Sequence, residues 1–156
     1  MAADVGQRAP EFTLDGSDNT DEGRRSYALA DYRGQVVVLV FYPGDNTPVC
    51  TRQLNSYSED IASFEGAGAQ VLAISPQSVQ SHDEFSCKQG GFGFPLLADT
   101  DKAVGAAYGI LGPLGFYRRS VFVIDAEGVV RYAHRAVAGL TFRSTEDLVA
   151  AVRAAS

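Results

Sequence analysis

The chain has 156 residues, 46% of them hydrophobic and 21% charged, the size and composition of one globular domain with a full core, read as residues 1–156. A formal net charge of −6 argues against nucleic acid or anionic membranes as partners, because both attract basic patches and the arginines at 24–25 and 118–119 are only pairs. No apolar run is long enough to cross a bilayer, and the first ten residues lack a basic stretch followed by an apolar one, so a soluble cytoplasmic protein is expected.

Residues 12–14 (FTL) read as a short strand, residues 15–23 as an acidic, turn-rich loop, and residues 27–29 (YAL) as the second arm of an N-terminal hairpin. Residues 35–42 (QVVVLVFY) form a continuous β-branched and aromatic run, the mark of a strand covered on both faces, and Pro43 ends it. Leu54, Tyr57, Ile61 and Phe64 then recur at helical spacing as far as Gly66, before a second buried strand at 70–75. Strand, helix, strand is a βαβ unit. Residues 78–89 are polar and helix-compatible and end at Gly90 and Gly91, and residues 101–108 give a further short helix after Pro95, Leu96 and Leu97. Residues 120–124 and 129–134 flank a hairpin turn at 125–128, and Ser144 followed by Asp147 opens a last helix with Leu148, Val149 and Val152 inward. This order of elements resembles an α/β thioredoxin-like three-layer sandwich, with a central mixed sheet and an N-terminal β-hairpin.

The chain has two cysteines, and Cys50 stands immediately beyond Thr47 and Pro48, where strand gives way to helix. Thr47 suits the N-cap and Pro48 the first helical position. Cys50 then lies in the first turn, where free N–H groups and the positive end of the helix dipole favour a thiolate over a thiol. Two uses stay open on the residues alone. Cys50, Leu54, Tyr57, Ile61 and Phe64 share one helical stripe, so the thiol can be the inert top of the core. Equally, the C-terminal edge of a central strand is where α/β sheets bind ligands, which suits a nucleophile. Arg119, directly before the strand at 120–124, is a second candidate, and strand parity must decide between it and Arg118. Cys50, Cys87, His82 and His134 are metal-ligand types but show no C-x-x-C or H-x₃₋₅-H spacing, so both histidines are read as structural and no metal or other cofactor is expected.

Pro43-x-x-x-Thr47-x-x-Cys50 resembles the peroxiredoxin signature, and Arg119-Ser-Val-Phe-Val-Ile-Asp125 resembles that family's arginine-bearing strand. Residues 6–14, 29–34 and 94–99 are similar to the family in order and spacing, and FYPxDxTPxCT is most similar to its Q-type, or bacterioferritin-comigratory, branch. The resemblance implies a thiol-dependent peroxidase acting on hydrogen peroxide and organic hydroperoxides. In it Cys50 is the peroxidatic residue that becomes a sulfenic acid, Thr47 and Arg119 hold the peroxide with the Cys50 amide, and Pro43 shields the sulfur. It further implies thioredoxin or a similar dithiol as reductant, and a monomer or weak homodimer. There are departures. The resolving cysteine that many Q-type members carry five residues on is here Asn55, Gln53 stands where glutamate is common and Val49 where glycine is, and residues 109–117 form a short apolar segment. Resolution therefore moves to Cys87, 37 residues after Cys50 on the next helix, through an intramolecular disulfide that needs local unfolding. The rivals are a one-cysteine peroxiredoxin resolved by an external thiol, and a non-catalytic binding module or copper chaperone on the same fold.

Overall fold

Among the described residues the chain forms β1 (Thr13–Ser17), β2 (Arg25–Ala28), a 3-10 turn (Leu29–Tyr32), β3 (Val36–Phe41), α1 (Pro48–Glu59), α2 (Ile61–Gly66) and β4 (Ala69–Ser75). It continues through α3 (Val79–Lys88), β5 (Leu96–Ala98), α4 (Ala103–Ala107), β6 (Ser120–Ile124), β7 (Val130–Arg135) and α5 (Thr145–Ala155). The computed structural model describes residues 3–18, 20, 22–112, 115–136 and 142–156.

The seven strands make one mixed sheet in the order β2-β1-β5-β4-β3-β6-β7. β3, β4 and β5 are parallel, as βα connections require, while β1–β2, β1–β5, β3–β6 and β6–β7 are antiparallel. Every residue of β3 is buried because both faces are covered. Val36, Val38 and Val40 pack with Leu54, Tyr57, Phe64, Phe85, Leu148 and Val152 from the helices α1, α2, α3 and α5. Val37, Leu39 and Phe41 face the other layer, with Val104, Tyr108, Ile110 and Leu29. The layers of a thioredoxin-like sandwich are thus built directly from the period of two along the central strands.

Three elements differ from the sequence reading. Residues 15–17 are strand rather than loop, because Gly16 and Ser17 pair with Leu97 and Leu96 of β5, a partner distant in sequence. A Cβ on Gly16 would come within 2.8 Å of the Leu96 carbonyl oxygen, a backbone atom that cannot move aside without breaking the strand pairing, so glycine suits this crossing. Residues 19 and 21 of the same loop, and residues 113 and 114 of the apolar segment, lie outside the described residues. The single helix expected through residue 66 is two, parted at Asp60 (φ −100°, ψ 17°). The apolar stripe survives the break, with Tyr57 and Phe64 edge to face at 6.0 Å. Finally, α4 starts at Ala103 rather than 101, because the buried Asp99 carboxylate accepts the amides of Val104 (3.1 Å) and Gly105 (2.8 Å) and sets the first turn from outside the helix.

Candidate active site

Sheet register assembles the site. Phe41 at the end of β3 is paired with Ser120 at the start of β6, so Arg119 reaches the same sheet edge from which residues 43–47 lead into α1. Thr47 occupies the N-cap with extended backbone (φ −84°, ψ 148°) and Pro48 opens the helix. The Thr47 hydroxyl does not cap the helix as expected of it. It donates to the Gly44 carbonyl at 3.1 Å, bracing the loop, and no side chain caps the first turn. Its proton engaged there, Thr47 keeps acceptor lone pairs for an incoming O–H. The first-turn amides keep their donor capacity toward a ligand.

Cys50 is only 1% exposed and belongs to the core cluster of Leu54 and Tyr57. The stripe reading and the site reading describe one position: the sulfur is the top of the core and also the floor of the site. Arg119, 4% exposed, donates from Nη2 to Cys50 Sγ at 3.2 Å and from Nη1 to Gln53 Oε1 at 2.5 Å. A guanidinium can only donate, so the Gln53 oxygen must face it and the Gln53 NH₂ must point away, toward the Tyr57 hydroxyl at 3.3 Å. Tyr57 in turn donates to the Arg143 carbonyl at 2.5 Å. Burial pushes the Tyr57 hydroxyl up to about 12, with the Gln53 hydrogen bond opposing, so it stays a donor throughout the neutral range. The chain Arg143, Tyr57, Gln53, Arg119 helps to fix the guanidinium plane through the neutral Gln53 amide. A glutamate at position 53 would fix the same plane but neutralise the cation.

Of the other candidates, Pro43 is half-buried at the start of the loop. Cys87 is an exposed free thiol on α3, on the side away from the buried His82, Phe85 and Ser86. Arg118 is half-buried and donates from Nε to the Ala136 carbonyl at 3.2 Å, away from Cys50. His134 is half-buried on β7, where burial and then Arg143 push its imidazole below the ordinary value. His82 is buried against Asp45 of the loop between β3 and α1. Among the described residues no three His, Cys, Asp or Glu side chains converge as metal ligands, and no helix is long and apolar enough to cross a membrane. Sequence reasoning placed Tyr57 only on the apolar stripe, noted Gln53 only as a departure from the family pattern, and gave Asp45 no role. The position of Gln53, three residues beyond Cys50 and so on the same helical face, was the available signal.

A mixed thioredoxin-like sheet that sets a helix-N-terminal cysteine under a buried arginine is the architecture of the thiol-dependent peroxidases. The chain belongs to the AhpC/TSA family, whose model matches residues 5–133. It is similar to peroxiredoxin-2 of Rattus norvegicus, 39% identical over 136 residues (83% of this chain, 68% of the relative). It is also similar to a thioredoxin peroxidase of Echinococcus granulosus, 38% identical over 138 residues (84% and 70%). Among solved structures, Xanthomonas campestris peroxiredoxin Q superposes with a TM-score of 0.80 at 33% identity, covering 92% of this chain and 90% of its own. That protein, also called bacterioferritin comigratory protein, has been solved with each of two cysteines replaced by serine. The Q-type resemblance and the thiol peroxidase class read from the sequence therefore hold.

Proposed function

We propose that Cys50 reduces hydrogen peroxide and organic hydroperoxides as the peroxidatic nucleophile. Its thiolate attacks one peroxide oxygen, the O–O bond breaks, and the departing oxygen takes a proton to leave as water or alcohol, so that Cys50 becomes a sulfenic acid. Arg119 donates to the sulfur before reaction and is placed to stabilise negative charge building on the departing oxygen, a preorganised electrostatic contribution. Thr47 accepts from the peroxide O–H, the Cys50 amide donates to it, and Pro43 screens the sulfur from bulk water. The observation that carries this reading is the 3.2 Å contact from buried Arg119 to buried Cys50.

Cys87 then attacks the Cys50 sulfenic acid, releasing water and forming an intramolecular disulfide, which thioredoxin or a similar dithiol reduces by exchange. The two cysteines replaced in the Xanthomonas protein support this, since their spacing differs by one residue from that of Cys50 and Cys87. The Echinococcus relative's name supports thioredoxin as donor. Cys50 is buried on α1 and Cys87 exposed on α3, and a disulfide needs Cα atoms within about 7 Å, which supports a reaction that proceeds through local opening. Among the described residues only Val5 and Phe116 are large exposed apolar side chains, which favours a monomer or weak homodimer.

Metal-free protein is expected to consume peroxide stoichiometrically before any donor is added, and Cys50→Ser to consume none. Peptide mapping after one equivalent of peroxide should find a Cys50–Cys87 bond. Cys50 found only as sulfenic or sulfinic acid, with Cys87 free, would leave the one-cysteine mechanism in its place.

A further inference from the structure

Outside the reacting groups, the most heavily bonded buried polar cluster of the described residues surrounds Asp45. Asp45 lies between Pro43 and Thr47, and its side chain is 2% exposed against a His82 side chain that is fully buried. His82 Nε2 sits 2.9 Å from the Leu97 carbonyl, which can only accept, so that nitrogen carries a proton. Nδ1 faces Asp45 Oδ2 at 2.8 Å, within hydrogen-bond distance of the carboxylate. The same carboxylate accepts from the Tyr42 hydroxyl at 2.7 Å and the Ser81 hydroxyl at 2.7 Å, and the Asp45 amide donates to Gln77 Oε1 at 2.5 Å. Gln77, Ser81 and His82 come from the start of α3 and the residues leading into it, so the loop that carries Pro43 and Thr47 is tied to the helix that carries Cys87. Asn46, next in the loop, turns the chain at φ 62°, a left-handed conformation that asparagine tolerates better than most residues.

We propose that Asp45 and His82 form a latch between the peroxide-binding loop and α3. Closed, the latch positions Thr47 and Pro43 over Cys50. Its parting is a required part of the opening that lets Cys50 and Cys87 meet. The opening half rests on the reading of Cys87 as the resolving residue. His82 and Asp45 act here as positioning residues, since neither touches the reacting sulfur. The physical basis is that a buried, fully bonded polar pair is costly to separate, so a latch of this kind sets both the geometry of the closed loop and the frequency of its opening.

The test separates the two chemical steps by rapid quench and mass spectrometry. Sulfenic acid formation is followed in a Cys87→Ser background, and disulfide formation in the two-cysteine chain. His82→Gln is expected to slow sulfenic acid formation about tenfold or more through loss of loop positioning, to speed disulfide formation, and to lower the sulfinic acid fraction at excess peroxide. Ser81→Ala, which removes one donor to Asp45, should move all three readouts the same way by less, and it keeps the test usable if His82→Gln fails to fold. Val130→Ala, in the core layer on the other face of the sheet from Cys50, lowers overall stability and should move neither step. Wild-type protein that never forms the disulfide would overturn the resolving role of Cys87 and the opening half with it. Wild-type protein that forms it at a rate shared by His82→Gln or Ser81→Ala, with sulfenic acid formation also unchanged, would overturn the latch alone.

Discussion

Arg118 and Arg119 are adjacent in sequence and diverge in use because neighbouring residues entering a strand point to opposite faces. Val121 and Val123, which share parity with Arg119, lie in the same core layer as Cys50, whereas Phe122 and Ile124, in step with Arg118, lie in the other. Arg119→Met is therefore expected to lower the rate of Cys50 oxidation by roughly 10²–10³-fold, the usual cost of removing one preorganised donor. Arg118→Met should stay within a few-fold of wild type. Equal losses in a peroxide-consumption assay would refute the assignment. The sequence could not choose between the two arginines because the strand is apolar on both faces, so its parity is legible but not which layer holds the thiol. Cys50, Thr47 and Arg119 stood out because each occupies the terminus of a readable element. Asp45 did not, and Gln53 stood out only as a departure from the family pattern, since a buried amide or carboxylate draws its meaning from partners 66 and 37 residues away.

At the scale of elements, the hairpin between β6 and β7 was readable because its turn chemistry is local. Asp125 Oδ1 accepts the amides of Glu127 at 3.0 Å and Val129 at 2.9 Å, and Oδ2 accepts from Arg131 Nε at 2.7 Å. Burial raises this carboxyl, but the Val129 amide, the Arg131 guanidinium and the Glu127 amide outweigh it and hold it below the ordinary value. A depressed folded value means that the stabilisation is present above the unfolded carboxyl range, about pH 4, and is lost as pH falls through the folded value. Asp125→Ala should cost about 2 kcal/mol near neutrality through the lost acceptors, a fall in Tm of about 4–8 °C. The gap from wild type should narrow below about pH 4 as the wild-type carboxyl is protonated. A gap of constant size down to acid pH would show that the carboxylate charge does not hold the turn. The elements that sequence reading misjudged, namely the far half of β1, the break at Asp60 and the start of α4, are set by contacts with distant segments. Periodicity and local caps do not carry that information.

For the molecule as a whole, the same sheet that presents the site also divides the aromatic residues between two cores, and tyrosine reports on both. Tyr42 and Tyr57 are buried on the α1 side, Tyr27, Tyr108 and Tyr117 on the other, and the chain has no tryptophan to obscure them. Burial is the leading cause that raises the hydroxyls of Tyr27, Tyr32, Tyr42, Tyr57, Tyr108 and Tyr117, reinforced by Asp45 at Tyr42 and by Asp99 at Tyr117. A phenol whose folded value lies above its unfolded one, about 10, contributes stability that is full below that pH and is lost as pH rises toward the folded value. The folded chain therefore resists ionising its buried tyrosines, and alkali must unfold it to do so. In an alkaline titration the main part of the tyrosinate absorbance, from Tyr27, Tyr42, Tyr57, Tyr108 and Tyr117, is expected to rise late and steeply, at the same pH at which the far-ultraviolet circular dichroism of the helices is lost. A gradual rise centred near pH 10, with the helical signal intact, would mean that these hydroxyls are solvent-accessible and that the two-core packing around the sheet is wrong.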